Sequence, residues 1–120
     1  MRIDEHIDDE GRSVATVIDV ADGLLRVAVG ARIEGELPLD AIDRVMLRYA
    51  KPLADDVALV GPALDLGHGR SLVMLRHRAR YDVIARDFIV LVRPDGEPLA
   101  ELATTIAGAL VHLARAALWR

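Results

Sequence analysis

The sequence predicts an α+β protein in which an antiparallel sheet begins with a β-hairpin and is closed by a long C-terminal helix. Three observations support this prediction. Residues 13–34 alternate apolar and polar side chains around an Asp-Gly turn, and residues 98–118 carry an apolar stripe at helical spacing. The run FIVLV at residues 88–92 is rich in β-branched and aromatic side chains, which is typical of a buried strand.

The hairpin is expected over residues 13–34, with Asp22 and Gly23 as its two-residue loop. An Asp-Gly pair suits the backbone of a tight hairpin turn. The loop also places Asp19 opposite Arg26, which is a favourable cross-strand pair. On the other face the loop fixes a register of apolar pairs. These pairs are Val20 with Leu25, Ile18 with Val27, and Val14 with Ala31.

The middle of the chain predicts a helix and several strands. Residues 38–50 have apolar side chains at helical spacing, which favours a helix over a strand. In VALVGPALDL, the dipeptide Gly61-Pro62 interrupts a short strand, so an edge or bulged strand is expected there. The sequence GHGR at residues 67–70 predicts a turn.

The C-terminal helix is expected to span residues 98–118, with Pro98 in its first turn and Glu101 near its positive end. It is apolar around most of its perimeter, so it must be covered on more than one side. One interpretation is a homodimer with two-fold symmetry. The alternative is that residues 38–50 of the same chain cover the second side. The expected dimer residues are Ile106, Gly108, Leu110, His112, Leu113 and Ala117.

Composition indicates a single domain. The chain has 120 residues, 52% of them hydrophobic, which suffices for one core. We expect residues 1–12 to form an acidic, poorly ordered arm and residues 13–120 to form the domain. The sequence has no cysteine and no apolar run long enough to cross a membrane. These features predict a soluble, cytoplasmic protein.

The order of the elements resembles that of bacterial pleckstrin-homology-like domains. In both, an early hairpin and several strands precede a C-terminal helix, and here ELPLDAIDRV follows the hairpin. The resemblance implies an alternative fold, a partly open β-barrel with a C-terminal helix.

A basic stretch between residues 67 and 82 is the main candidate for a binding site. On a strand, Arg76, Arg78 and Arg80 would share one face, and guanidinium groups can bind carboxylates or phosphates through two hydrogen bonds. His68 and Arg70 lie in the adjoining turn. These five residues predict an anionic ligand or an acidic protein partner. The alternative is that the arginines pair with nearby acids of the same chain, namely Asp55, Asp56, Asp65, Asp82 and Asp87.

Other chemistries are disfavoured by the sequence. The net charge of −4 argues against a nucleic-acid-binding protein. The four histidines show no metal-ligand spacing, and neither serine lies in a GxSxG motif. We therefore expect no metal site, no cofactor and no catalytic residue.

The sequence thus predicts a small, non-catalytic binding or accessory module. A second hypothesis is a small enzyme or metabolite-binding protein with a pocket between sheet and helix. A third is an immunity-like or regulatory protein whose acidic arm engages a basic surface. The pocket residues of the second hypothesis would be His77, Tyr81 and Asp82, or Tyr49.

Overall fold

The structure is a computed structural model that describes residues 1–53, 57–77 and 86–118. Four predicted site residues, Arg78, Arg80, Tyr81 and Asp82, lie outside the described residues, as does the side chain of His77. The described chain forms two antiparallel sheets and two helices, so the α+β class is confirmed.

The first sheet has four strands in sequential order. They are β1 (Arg2–Ile7), β2 (Ser13–Ala21), β3 (Leu24–Val29) and β4 (Arg32–Pro38). The acidic segment expected to be a poorly ordered arm instead contributes the edge strand β1, which pairs with β2. Its partly buried Ile3 packs against the core, and its charged side chains are tolerated because an edge strand faces solvent.

The predicted hairpin register is confirmed near the turn. Val20 pairs with Leu25, and Asp19 lies opposite Arg26. Asp22 and Gly23 both have positive φ, 53° and 74°, as the predicted two-residue turn requires.

The hairpin differs from the prediction at its far end. β3 stops at Val29, and the chain turns at Gly30 into β4. The last hairpin pair is Thr16 with Val29, so the predicted pair of Val14 with Ala31 does not form. On its other side, Val14 pairs with His6 of β1. Arg26 forms its ion pair with Glu36 on β4, whose carboxylate oxygen lies 3.7 Å from Nε, whereas Asp19 pairs with the N-terminal amine.

The second sheet has five strands, in the order β5-β9-β8-β7-β6. The run FIVLV lies in β8, where Ile89, Val90 and Leu91 are fully buried, as predicted. The strand after Gly61-Pro62 is β6, and it lies at the sheet edge with an irregular register. The bounds are β5 (Lys51–Pro52), β6 (Ala63–Gly67), β7 (Arg70–His77), β8 (Arg86–Val92) and β9 (Leu99–Ala103).

The first helix confirms the prediction for residues 38–50. It is α1 (Leu39–Tyr49), with Pro38 as its N-terminal cap residue. Its inward face carries Ala41, Ile42, Val45 and Met46, all buried. The apolar residues at helical spacing thus face the interior.

The second helix, α2 (Ile106–Leu118), is shorter than predicted. Pro98 precedes β9 and Glu101 lies within it, so neither belongs to a helical turn. β9 forms because its backbone pairs with β8, with Leu99 opposite Leu91. The helix begins only after Thr105, whose Oγ1 accepts a hydrogen bond of 2.9 Å from the backbone N–H of Gly108.

The main core is shared by both sheets and both helices. α2 contacts α1, strands β1, β3 and β4 of the first sheet, and strands β8 and β9 of the second. Within the described residues the sheets do not close into a barrel. The order of strands followed by a C-terminal helix is the part of the pleckstrin-homology-like alternative that the structure shares. The largest fully buried side chains include Ile18, Leu25, Ile42, Met46, Leu72, Ile89, Leu110 and Leu113.

A smaller apolar cluster contains Val73, Leu75 and Val90, with Phe88 and Ala100 packed against it. These residues alternate along β7, β8 and β9 with residues of the main core, so they lie on the opposite face of the second sheet. Neither helix in the described part of the chain is long and apolar enough to span a membrane.

Candidate functional site

A cleft of about 660 Å³ opens between the second sheet and the start of α1. The turn between β6 and β7 forms one wall, α1 forms another, and the β2–β3 turn borders it at Gly23. The cleft thus joins elements that are far apart in the sequence. Its lining residues are Gly23, Leu39, Asp40, Asp43, Leu66, His68 and Arg70.

The β6–β7 turn brings two of the predicted binding residues to this cleft. His68 and Gly69 both have positive φ, 55° and 75°, which matches a two-residue hairpin loop. Gly69 lies against Pro94, since a β-carbon added there would be 3.4 Å from the Pro94 ring. The turn exposes His68 at its tip and directs Arg70 toward α1.

Arg70 is held by its own chain. Its side chain is 12% exposed and forms an ion pair with Asp43 of α1. Its Nη1 donates to the carbonyl oxygen of Leu39 at 3.0 Å, and its Nε donates to that of Gly67 at 3.3 Å. Its Nη2 lies 3.4 Å from the carbonyl oxygen of Leu66. Arg70 therefore ties α1 to the hairpin and has little donor capacity left for an anion.

Sequence reasoning missed the carboxylates of α1. Asp43 lies 27 residues from Arg70 in the chain, and neither Asp40 nor Asp43 was among the acids expected to pair with the basic stretch. The available signal was the predicted helix over residues 38–50, in whose first turns both residues fall.

The cleft continues into a smaller space of about 240 Å³, lined also by Arg93, Pro94 and Asp95. Nη2 of Arg93 donates to the carbonyl oxygen of Glu97 at 3.1 Å. The Arg93 Nε is buried and has no hydrogen-bond partner among the described residues. This part of the cleft therefore contains both signs of charge.

Negative charge predominates in the combined lining. The lining contains three carboxylates, of Asp40, Asp43 and Asp95, and two guanidinium groups, of Arg70 and Arg93. Asp40 is exposed and has no ion pair or hydrogen bond from its side chain within the described residues. Asp40 and the imidazole of His68 are thus the open polar groups of the larger space.

Arg76 does not belong to the cleft. It lies about 20 Å from Arg70 along β7, directly opposite Asp87 on β8. Its Nε lies 2.8 Å from Asp87 Oδ1, and its Nη2 lies 3.3 Å from Oδ2. The hydrogen bond and the negative charge of Asp87 raise the pKa of the Arg76 guanidinium, and Asp4 adds to this effect. This pairing with a nearby acid was the alternative to anion binding.

The predicted dimer residues divide into inner and outer positions. Leu110, Leu113 and Ala117 are buried inside the subunit, whereas Gly108 and His112 are exposed and Ile106 is half-buried. α1 and both sheets contact α2, so its inward face is covered within one chain. The sequence offered this as the alternative to a dimer, with the helix of residues 38–50 covering α2.

Tyr49 lies at the end of α1 rather than in a pocket between sheet and helix. Its ring is 5.8 Å from the ring of His112, and the two rings meet edge to face. The structure therefore brings these two predicted residues together on the outer surface of the helices.

Comparisons with protein-family models, with curated proteins and with solved structures each found no match to this chain. In the described ranges, no group of three or more His, Asp or Glu side chains is arranged to hold a metal ion.

Proposed function

We propose that this protein is a small, non-catalytic binding module that holds a ligand with a cationic group in the cleft between α1 and the β6–β7 turn. The observation that carries the proposal is the open carboxylate of Asp40 in the wall of that cleft. The second hypothesis from the sequence also expected a pocket between sheet and helix, but with other residues: His77, Tyr81 and Asp82, or Tyr49. The volume of about 660 Å³ is in the range of small-molecule sites.

The charge of the lining supports a cation rather than the anion predicted from His68 and Arg70. Arg70 already donates to Asp43 and to three backbone carbonyl oxygens. An anion would therefore find few free donors there, and it would face repulsion from Asp40. A cationic group beside Asp40 would gain an ionic partner without breaking the Arg70–Asp43 pair.

The apolar part of such a ligand has a surface to contact. Half-buried Leu39 lines the same cleft next to Asp40, and Leu66 lies beneath it, almost fully buried. A short aliphatic amine is thus the simplest probe of the proposal. Butyrate is its matched control, because it has a similar chain and the opposite charge.

The test is a titration of the isotopically labelled protein with n-butylamine and, separately, with butyrate, followed by amide NMR shifts. We expect butylamine to shift the amides of residues 39–43 and 66–70, and butyrate to shift them much less. Asp40→Asn should abolish most of the butylamine response, whereas Asp9→Asn, an exposed change outside the cleft, should leave it intact.

Two results would contradict the proposal. A stronger response to butyrate at His68 and Arg70 would favour the anionic ligand that the sequence predicts. Shifts from both probes that are scattered over the surface would show that the cleft is not a binding site.

A further inference from the structure

The outward faces of the two helices form a basic surface that the cleft does not include. α1 exposes Arg44, Arg48 and Tyr49, and α2 exposes His112 and Arg115. We call these five residues the basic helical face. It combines residues of both helices with no residue of the cleft lining.

Direct contacts show that this face is continuous. The guanidinium carbon of Arg48 lies 5.6 Å from the centre of the Tyr49 ring, and that ring meets His112 of α2 at 5.8 Å. Arg44 is four residues before Arg48 and Arg115 is three residues after His112, so each is a neighbour on its own helix surface. The same spacing puts the exposed carboxylate of Asp40 beside Arg44, at the edge of the face. The contact of Arg48 with Tyr49 and the contact of Tyr49 with His112 thus join the two helices at the centre of this face.

The charges of this face are not neutralised within the part of the chain that the structure describes. Arg44, Arg48 and Arg115 form no ion pair there, although the chain has 19 acidic residues and a net charge of −4. The contrast with other parts of the surface is marked. Elsewhere among the described residues, ion pairs are formed by Arg2, Arg12, Arg26, Arg32, Arg70 and Arg76.

We propose that the basic helical face docks an acidic segment of a partner protein. Unpaired cations that share one surface attract a partner of opposite charge. The site is distinct from the cleft, so this inference does not depend on the proposed cationic ligand.

The side chains among the cations favour a protein partner over a nucleic acid. Leu47 is 59% exposed and Tyr49 is 40% exposed on the same helix. Arginine and tyrosine are the residue types that contribute most at protein interfaces. A phosphate backbone would not use the exposed Leu47, whereas an acidic protein segment can also place an apolar side chain against it.

The experiment measures binding of the full chain to a fluorescein-labelled deca-glutamate peptide by fluorescence anisotropy. We expect saturable binding that weakens as sodium chloride is added. Arg44→Glu with Arg48→Glu should weaken binding by about tenfold or more, because two attractions become repulsions. Tyr49→Ala should weaken it less.

The matched control changes the net charge equally at another place. Arg2→Glu with Arg32→Glu reverses the charge of two exposed side chains of the first sheet. The loss of binding free energy should be less than half of that caused by Arg44→Glu with Arg48→Glu. Circular dichroism melting of each variant shows that the helices remain folded. His68→Ala in the cleft should leave peptide binding unchanged, which separates this inference from the proposed function.

Several outcomes would overturn the inference. Equal losses of peptide affinity in the two double variants would show that the peptide responds to the overall charge of the protein rather than to the basic helical face. Tighter binding of a 20-base-pair duplex or of phosphatidylserine vesicles than of the peptide would exclude a protein partner as the preferred one. No peptide binding, together with self-association that Arg44→Glu/Arg48→Glu removes, would assign the face to a second copy of the chain.

Discussion

Arg76 and Asp87 face each other across β7 and β8, and the guanidinium forms two hydrogen bonds to the carboxylate, of 2.8 and 3.3 Å. The two side chains differ in environment: that of Arg76 is 71% exposed and that of Asp87 only 11%. The nearly buried carboxylate therefore depends on Arg76 for its ionic partner, and this pair joins the central strand β8 to its neighbour β7 at one end.

Loss of either partner of this pair should lower the free energy of unfolding. Arg76→Gln leaves the nearly buried Asp87 carboxylate without its ionic partner, so it should cost more than Asp87→Asn, which leaves an exposed guanidinium that water can solvate. The double variant should be more stable than the sum of the two losses predicts. Urea unfolding of the four proteins measures this coupling, with Arg2→Gln as the control for an exposed arginine. Strictly additive losses would show that the contact contributes nothing.

Leu113→Ala should destabilise the protein by about 2–5 kcal/mol, because it removes a fully buried side chain from the shared core. Leu118→Ala on the same helix is the control, since that side chain is 79% exposed; its effect should stay within about 0.5 kcal/mol. Thermal unfolding at two protein concentrations gives the measurement. A melting temperature that falls on dilution, with a small effect of Leu113→Ala, would instead place this helix face at an interface between subunits.

Thr105→Ala should reduce stability by about 1 kcal/mol, because it removes the side-chain acceptor at the start of α2. Thr105→Ser keeps a hydroxyl and should recover most of the loss. The neighbouring Thr104 is also exposed but does not cap the helix, so Thr104→Ala serves as the matched control. Chemical denaturation of the three variants tests the assignment, which equal losses at both threonines would contradict.

Gly61→Ala should destabilise the protein by at least about 1–3 kcal/mol, the usual cost of overfilling a tightly packed place. A β-carbon there would lie 2.3 Å from the carbonyl oxygen of Met74 on β7. The backbone of Met74 is held in this position, because its N–H donates a hydrogen bond of 2.9 Å to the carbonyl oxygen of Pro62. Val60→Ala changes an adjacent side chain that is 80% exposed, so denaturant midpoints should separate the two variants clearly.

Elements with strong local signals were predictable from the sequence. The Asp22-Gly23 turn fixed the hairpin register near it, because two residues of positive φ and the alternation of side chains agree. The spacing of Ile42 and Met46 predicted α1, since both point to the interior. In both cases, residues close together in the sequence are enough to predict the element.

The boundary between β9 and α2 was not predicted, because Leu99 and Glu101 are compatible with a helix and become strand residues only through pairing with β8. Tertiary pairing here outweighs local propensity. Thr105 was the available signal, as threonine is a favoured residue at a helix start. β1 was missed for a related reason: its acidic side chains conceal an edge strand whose pairing with β2 is visible only in the fold.

The candidate site was predictable only in part. His68 and Arg70 were expected to lie in a turn, and the structure has them in one wall of the cleft. The opposing wall, with Asp40 and Asp43, comes from a helix about thirty residues earlier in the chain. Local patterns contain no information on such a juxtaposition, so the excess of negative charge in the cleft could not be read from the basic stretch alone.

The position of α2 has a consequence for how the protein loses its structure. Because this helix contacts strands of both sheets, removing either sheet from the core also uncovers part of the apolar surface of α2. We therefore expect the two sheets to unfold in a single transition. The amide hydrogens at the centre of α2 should exchange with solvent only when the whole protein unfolds.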